Sequence, residues 1–225
     1  MRRIKDKTDA EKKRLPALKL RRAGAERLLR ALKKLFPNPK IALTFRNNWE
    51  LLVAVVLSAQ CTDKKVNEVT EKLFKKYKTL DEYIRAKQKD FEQDIRSTGF
   101  YRNKAKNILA SAKIIKEKHS GTVPDTMEEL LALPGIARKT ANIILGNAFG
   151  KVEGIAVDTH VIRLSQRFGL TKENNPEKIE KDLMSLFPKK EWFTLTYRLI
   201  EYGRNYCSAR TCSTNHPLHM FDTDK

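Results

Sequence analysis

The chain has 225 residues, with 46 Lys and Arg against 27 Asp and Glu and a formal charge of +19; it is long enough to bury a real core, and its excess of base points to a polyanionic partner, nucleic acid before an anionic membrane surface. Its longest apolar run, residues 51–59 broken only by Ser58, falls well short of the roughly 20 residues of a membrane-spanning helix, so a soluble protein that does not engage a membrane is expected. The three cysteines are odd in number and only Cys207 and Cys212 lie close together, which argues against a disulfide framework and for a reducing interior.

Residues 1–22 carry ten basic and three acidic side chains without a continuous apolar stretch. They read as a flexible basic extension, lying along DNA or freely solvated, and not as a secretory signal or a transit peptide. Beyond them, apolar residues recur at three and four positions, and runs of alternating β-branched residues are nearly absent, so an all-α fold is expected. Helices are predicted near 22–36, 48–59, 63–77, 79–86, 88–96, 101–118, 126–133, 138–148, 159–168, 176–187 and 190–205. Pro37-Asn38-Pro39, Gly99, Gly121, Pro134-Gly135, Gly150 and Asn174-Asn175-Pro176 supply the breaks. The helix containing residues 51–59 is apolar on nearly every side and is expected at the centre of a helical layer.

The most informative segment is Leu131-Ala132-Leu133-Pro134-Gly135-Ile136-Ala137-Arg138-Lys139-Thr140-Ala141. Pro134 stops one helix, Gly135 permits a tight turn, and the amides opening the next helix can face a phosphate. Leu133 and Ile136 are expected to pack inward. Arg138 and Lys139 open the second helix, where the dipole disfavours positive charge, so another function must hold them there. Nineteen residues after Lys139, Ile155-Ala156-Val157-Asp158-Thr159-His160 places an acid at a helix start. Asp158 reads as an N-cap, a role compatible with catalysis.

Together, Leu133-Pro134-Gly135 through Ala141 and Val157-Asp158-Thr159-His160 resemble the helix-hairpin-helix DNA glycosylases, and endonuclease III in particular. Leu57-Ser58-Ala59-Gln60-Cys61-Thr62-Asp63, Gly99-Phe100-Tyr101-Arg102-Asn103-Lys104-Ala105 and Gly121-Thr122-Val123-Pro124 are similar to further segments of that family, in the same order. The resemblance implies a six-helix barrel at about residues 40–150 and a second helical lobe from 23–39 and 151–225, with DNA across the cleft between them. It implies a bifunctional glycosylase and abasic-site lyase that removes oxidised pyrimidines from duplex DNA; a monomer is expected, in the cytoplasm at the nucleoid or in whichever compartment holds DNA.

By the same resemblance Lys139 is the nucleophile and Asp158 the catalytic carboxylate. A neutral amine at Lys139 attacks the sugar, displaces the base and leaves a Schiff base from which β-elimination cuts the strand. Partial burial or cationic neighbours such as Arg138 are expected to lower its pKa. Gln60 and Phe100 are placed by position to fill the hole left by an extruded base; a helix-end residue and a core aromatic are the plain alternatives. Gly135, Ala137 and Arg138 are expected at the DNA backbone, Lys104 and Arg102 at phosphates or on a solvated charged face, and His160 either at a phosphate or ordering the local backbone.

Two departures from the family stand out. Ala137 occupies the place of a second hairpin glycine, which is harmless unless the backbone there needs a positive φ. The C-terminal segment offers only Cys207 and Cys212 where the family has a four-cysteine iron–sulfur cluster, so no cluster and no other cofactor is expected. Cys207, Cys212, His216 and His219 form a weak zinc set of unusual spacing. A hairpin-bearing DNA-binding protein without turnover is the competing reading.

Overall fold

The computed structural model describes residues 9–209, 211–212 and 215–223, with side chains from residue 19 onward. Residues 1–8 and the side chains of 9–18, which make up most of the expected basic extension, lie outside that description. Eleven α-helices are found among the described residues: α1 Asp9–Leu35, α2 Asn48–Leu57, α3 Asp63–Lys76, α4 Leu80–Arg85, α5 Gln88–Asp94, α6 Tyr101–Lys118, α7 Met127–Leu131, α8 Arg138–Phe149, α9 Thr159–Arg167, α10 Pro176–Leu186 and α11 Trp192–Asn205. No strand occurs among these residues, only an isolated bridge between Cys207 and Cys212. The expected all-α fold is therefore found. The main difference is α1, which begins at Asp9 instead of near residue 22.

The chain divides into a central unit, Ile41–Ala156, and a terminal unit, Met1–Lys40 with Val157–Lys225. In the central unit α2 has the apolar, all-round character expected of it: every residue from Glu50 to Leu57 is buried. It packs against α3, α6 and α8. The one acid in this buried run, Glu50, accepts from the backbone amide of Arg46 at 2.7 Å and from its guanidinium at 2.6 Å, so the carboxylate goes inside with its partners. Asn47 caps the helix by accepting from the Glu50 amide at 2.9 Å. An aromatic group of Trp49, Tyr77, Tyr83 and Phe91, with ring centroids 5.1–5.7 Å apart in tilted and edge arrangements, closes one side of this core.

In the terminal unit α1 buries Ala25, Leu28, Leu29 and Leu32 and packs against α10 and α11. Each fully buried leucine contributes about 1.5–3 kcal/mol. Arg21 donates to the carbonyl of Leu170 at 2.8 Å and Arg22 to that of Ser185 at 2.9 Å, tying the upper part of the helix down by its cations. Leu183, Leu186, Phe187, Leu195, Tyr197 and Leu199 lie in the core as the sequence suggested, whereas Trp192, Phe193 and Ile200 are half-buried.

The C-terminal segment corrects two expectations. Cys207 and Cys212 are joined in a disulfide and are not a pair of unligated thiols. The four zinc candidates do not converge either. His216 is buried with Nδ1 against the Tyr202 hydroxyl and Nε2 3.1 Å from Asp222 Oδ2, and His219 Nδ1 lies 2.8 Å from the His216 carbonyl. With both ring nitrogens engaged, His216 has none to offer a metal. Asp222 also accepts two bonds from Arg167, at 2.9 and 2.7 Å. Burial pushes its carboxyl up, but Arg167 and His216 outweigh that and leave its pKa below the ordinary value. A depressed carboxyl stabilises the fold above its unfolded pKa and loses that contribution as pH falls through the folded value. Asp222→Asn is expected to lower stability at neutral pH by roughly 2 kcal/mol. The deficit narrows as the natural chain is acidified below the usual carboxylate range. Urea midpoints of both proteins at pH 7 and pH 3 check this, and an equal gap at both pH values counts against it.

Candidate active site

The hairpin lies in the central unit. Leu130, Leu133 and Ile136 are buried, as are Ala141, Ile144 and Leu145 on the inner side of α8, so the turn between α7 and α8 is clamped from below by apolar packing. Gly135 takes φ +78°, and a Cβ on it would collide with the side-chain amide of Asn107 on α6. Two constraints coincide there, a left-handed backbone and a neighbour that fills the space. Gly135→Ala is expected to destabilise the unit by about 1–3 kcal/mol, read as a fall in thermal midpoint. Adding Asn107→Ala is expected to recover only the steric share.

Ala137 settles the first departure. It is the N-cap of α8 with φ −94° and ψ 168°, an extended conformation open to any residue, so alanine there is unstrained. Ala137 itself offers no side-chain cap to the amides that open α8, which suits that helix end to an anion. Arg138 is half-buried and Lys139 exposed in its first turn. Of the two expected surroundings of Lys139, partial burial or a cationic neighbour, the chain provides Arg138 beside it in the same turn.

Gln60 and Phe100 stand at the tips of two other turns of the central unit. Gln60 is exposed with φ 53° in the turn before α3, and Phe100 is 64% exposed with φ 48° at the start of α6. Phe100 is therefore not a core aromatic. A left-handed backbone costs an ordinary L-residue about 1–2 kcal/mol, and a large exposed side chain in that conformation suggests that function holds it there. Ser120 shares the conformation at φ 52°, but next to Gly121 at the end of α6 it merely turns the chain. Arg102 is exposed, its guanidinium 5.5 Å from the Tyr101 ring centroid.

Lys104 is misplaced by the sequence reading. It is 5% exposed, and its ammonium donates to the carbonyls of Leu57 and Thr98, each at 2.8 Å. A cation committed to two internal carbonyls does not reach a phosphate. Burial pulls its pKa below the ordinary lysine value.

Asp158 belongs to the terminal unit. It caps α9, its side chain accepting from the Val161 amide at 2.8 Å, and it is half-buried behind the inward residues Ile155, Ala156 and Val157. His160 lies against α11, where a Cβ on Gly203 would strike its ring. Arg163, which the sequence reading passed over, has Nη2 3.4 Å from His160 Nδ1 and 2.6 Å from the Cys207 carbonyl. Its Nε is buried without a hydrogen-bond partner among the described residues. Burial lowers the pKa of this arginine, partly offset by the charge of Asp158. Arg163 thus links the Asp158 segment to the disulfide-closed loop.

Residues 53–189 match the HhH-GPD superfamily of base excision DNA repair proteins. The chain is 50% identical over 186 residues to endonuclease III of a Synechocystis species, covering 83% of this chain and 85% of that protein, and 47% identical over 178 residues to endonuclease III of Bacillus subtilis, covering 79% and 81%. The chain belongs to the endonuclease III family. Among solved structures, a non-covalent endonuclease III–DNA complex superposes with a TM-score of 0.86 at 44% identity, over 90% of this chain and 95% of that one. A trapped endonuclease III–DNA covalent intermediate matches with the same score, identity and coverage. A thermostable thymine-DNA glycosylase at 20% identity, TM-score 0.75, covers 87% of this chain and 92% of its own, and shares the fold alone.

Membership in the endonuclease III family corrects the cofactor expectation. Members of this family are typically iron–sulfur proteins, so at 50% and 47% identity the short cysteine count does not establish that this chain lacks a cluster. The residues described do not themselves fit one. No group of three or more His, Cys, Asp or Glu able to hold a metal occurs among them, and Cys207 and Cys212 are bonded to each other. Cys61, half-buried, belongs to the central unit.

Proposed function

We infer that this chain is a DNA glycosylase and abasic-site lyase of base excision repair, acting on duplex DNA. The observation that carries the reading is the combination of an exposed lysine in the first turn of α8, just past an uncapped hairpin, with an acid fixed as the N-cap of α9, in a chain similar to an endonuclease III trapped covalently on DNA. A phosphate-binding hairpin needs neither residue, so a non-catalytic DNA-binding protein is not favoured.

We further propose that oxidised pyrimidines are the substrates and that Lys139 is the nucleophile. Its amine attacks the anomeric carbon of the extruded nucleotide as the bond to the base breaks, and a Schiff base to the opened sugar forms. Loss of a proton next to that imine expels the 3′ phosphate and cuts the strand. Asp158 stabilises the positive charge that builds on the sugar and assists the proton transfers. Gly135, Ala137 and Arg138 hold the phosphate backbone at the start of α8, while Gln60 and Phe100 occupy the gap left in the base stack. His160 and Arg163 order the segment behind Asp158.

No described helix is long and apolar enough to cross a membrane, in keeping with work at the nucleoid in the cytoplasm. The reading is tested on a duplex with a single thymine glycol. Base release together with strand cleavage to a β-elimination product is expected; tight duplex binding with neither product would leave only the non-catalytic alternative.

A further inference from the structure

Lys104 is the most fully internal cation of the central unit, and its two acceptors are chosen in a telling way. The Leu57 carbonyl is at the last residue of α2, immediately before the turn that carries Gln60, and the Thr98 carbonyl ends the short 3-10 turn Arg96–Thr98, immediately before Gly99 and Phe100. Carbonyls at helical ends have no partner within their own element, and a cation is the most favourable group to satisfy them. One ammonium therefore serves two chain ends 41 positions apart in sequence. Each end leads within three residues to a side chain held at positive φ, Gln60 at 53° and Phe100 at 48°.

We propose that Lys104 is a positioning residue for base extrusion, a buried clasp that sets the Gln60 and Phe100 tips as one unit so that both enter the stack together. This rests on the reading of those tips as stack-filling residues given above. The ammonium touches neither DNA nor the reacting sugar; it acts on the spacing of the two turns. The three donors of the group suit it to this, because two converge on the carbonyls from one point in a way that no uncharged side chain of similar size reproduces.

The distinction from a merely structural lysine lies in which substrates suffer. A lesion paired within a duplex must be levered out of the stack, whereas the same lesion in a single-nucleotide bulge is already out. The experiment measures single-turnover base release by the full chain on thymine glycol in both settings and takes the ratio of bulged to paired rate, in which any loss of folded enzyme cancels. Lys104→Met is expected to raise that ratio about tenfold or more, the effect of losing one or two buried hydrogen bonds from the extrusion step alone. Lys104→Arg, which keeps the cation, is expected to restore it to within about threefold of the natural chain. If the methionine variant does not fold, Lys104→Gln, whose amide reaches one carbonyl only, carries the same measurement with the same expected direction. A ratio unchanged in Met or Gln, with both rates falling equally, overturns the proposal. If the natural chain releases no base from either substrate, it is the glycosylase reading that fails, and the two failures are told apart by that control.

Discussion

Lys139→Gln is expected to abolish the borohydride-trapped adduct on thymine glycol duplex and to lower strand cleavage by at least about 10³-fold, while leaving the folded protein unchanged. The nucleophile is the one group whose loss removes the covalent intermediate outright, since no reduction can trap what does not form. Lys139 is exposed in the first turn of α8, so a glutamine of similar length and helix propensity leaves stability within about 0.5 kcal/mol. Duplex affinity falls only by the share of one cation, and the salt dependence of binding persists because the rest of the basic surface remains. An adduct that survives the substitution would move the nucleophile to another amine.

Asp158→Asn separates the capping of α9 from the catalytic role proposed for the same side chain. Asparagine caps a helix as well as aspartate does, and its amide oxygen can still accept from the Val161 amide now 2.8 Å from Oδ1. Stability is therefore expected to change by less than about 1 kcal/mol, with a part of that arising because Arg163 loses a counter-charge that offsets its burial. Base release is expected to fall about 10²–10⁴-fold, the range for losing a positioned general acid–base or electrostatic group. Asp158→Ala is expected to show the same chemical loss plus about 1 kcal/mol of stability from the missing cap. Single-turnover rates and thermal midpoints on all three proteins make the comparison. A full rate in Asp158→Asn would reduce Asp158 to a cap.

Much of this was legible in the residues because helices announce themselves by period and punctuation. Ten of the eleven helices fall close to where the apolar spacing and the Pro, Gly and Asn breaks put them. The exception is α1, whose first half is mostly charged and has no apolar stripe from which its helical state could be read. Lys104 was misread because charge alone suggests a surface. Its position held the opposite signal: it is four residues before Ile108, on the same stripe as the buried Ala112 and Ile115, and a lysine inside such a stripe is a candidate for internal service. The Cys207–Cys212 pair was missed because an odd count over the whole chain says nothing about a local pair five residues apart. The burial of His216 between Tyr202 and Asp222 depends on a return of the chain that no spacing reveals. Phe100 and Gln60 were placed only by likeness to the family; their backbone conformations, invisible in sequence, are what now support the assignment.

Those conformations bear on engineering. At Gln60 and Phe100 the backbone asks for glycine or asparagine, residues that tolerate positive φ. A selection for heat resistance blind to repair would therefore drift towards glycine or asparagine at both tips, and each step would raise the melting temperature while blunting the tips proposed to open the duplex. Stabilisation of this enzyme for use as a reagent is better sought on the solvent face of α3 or α10, leaving the two strained tips as they are.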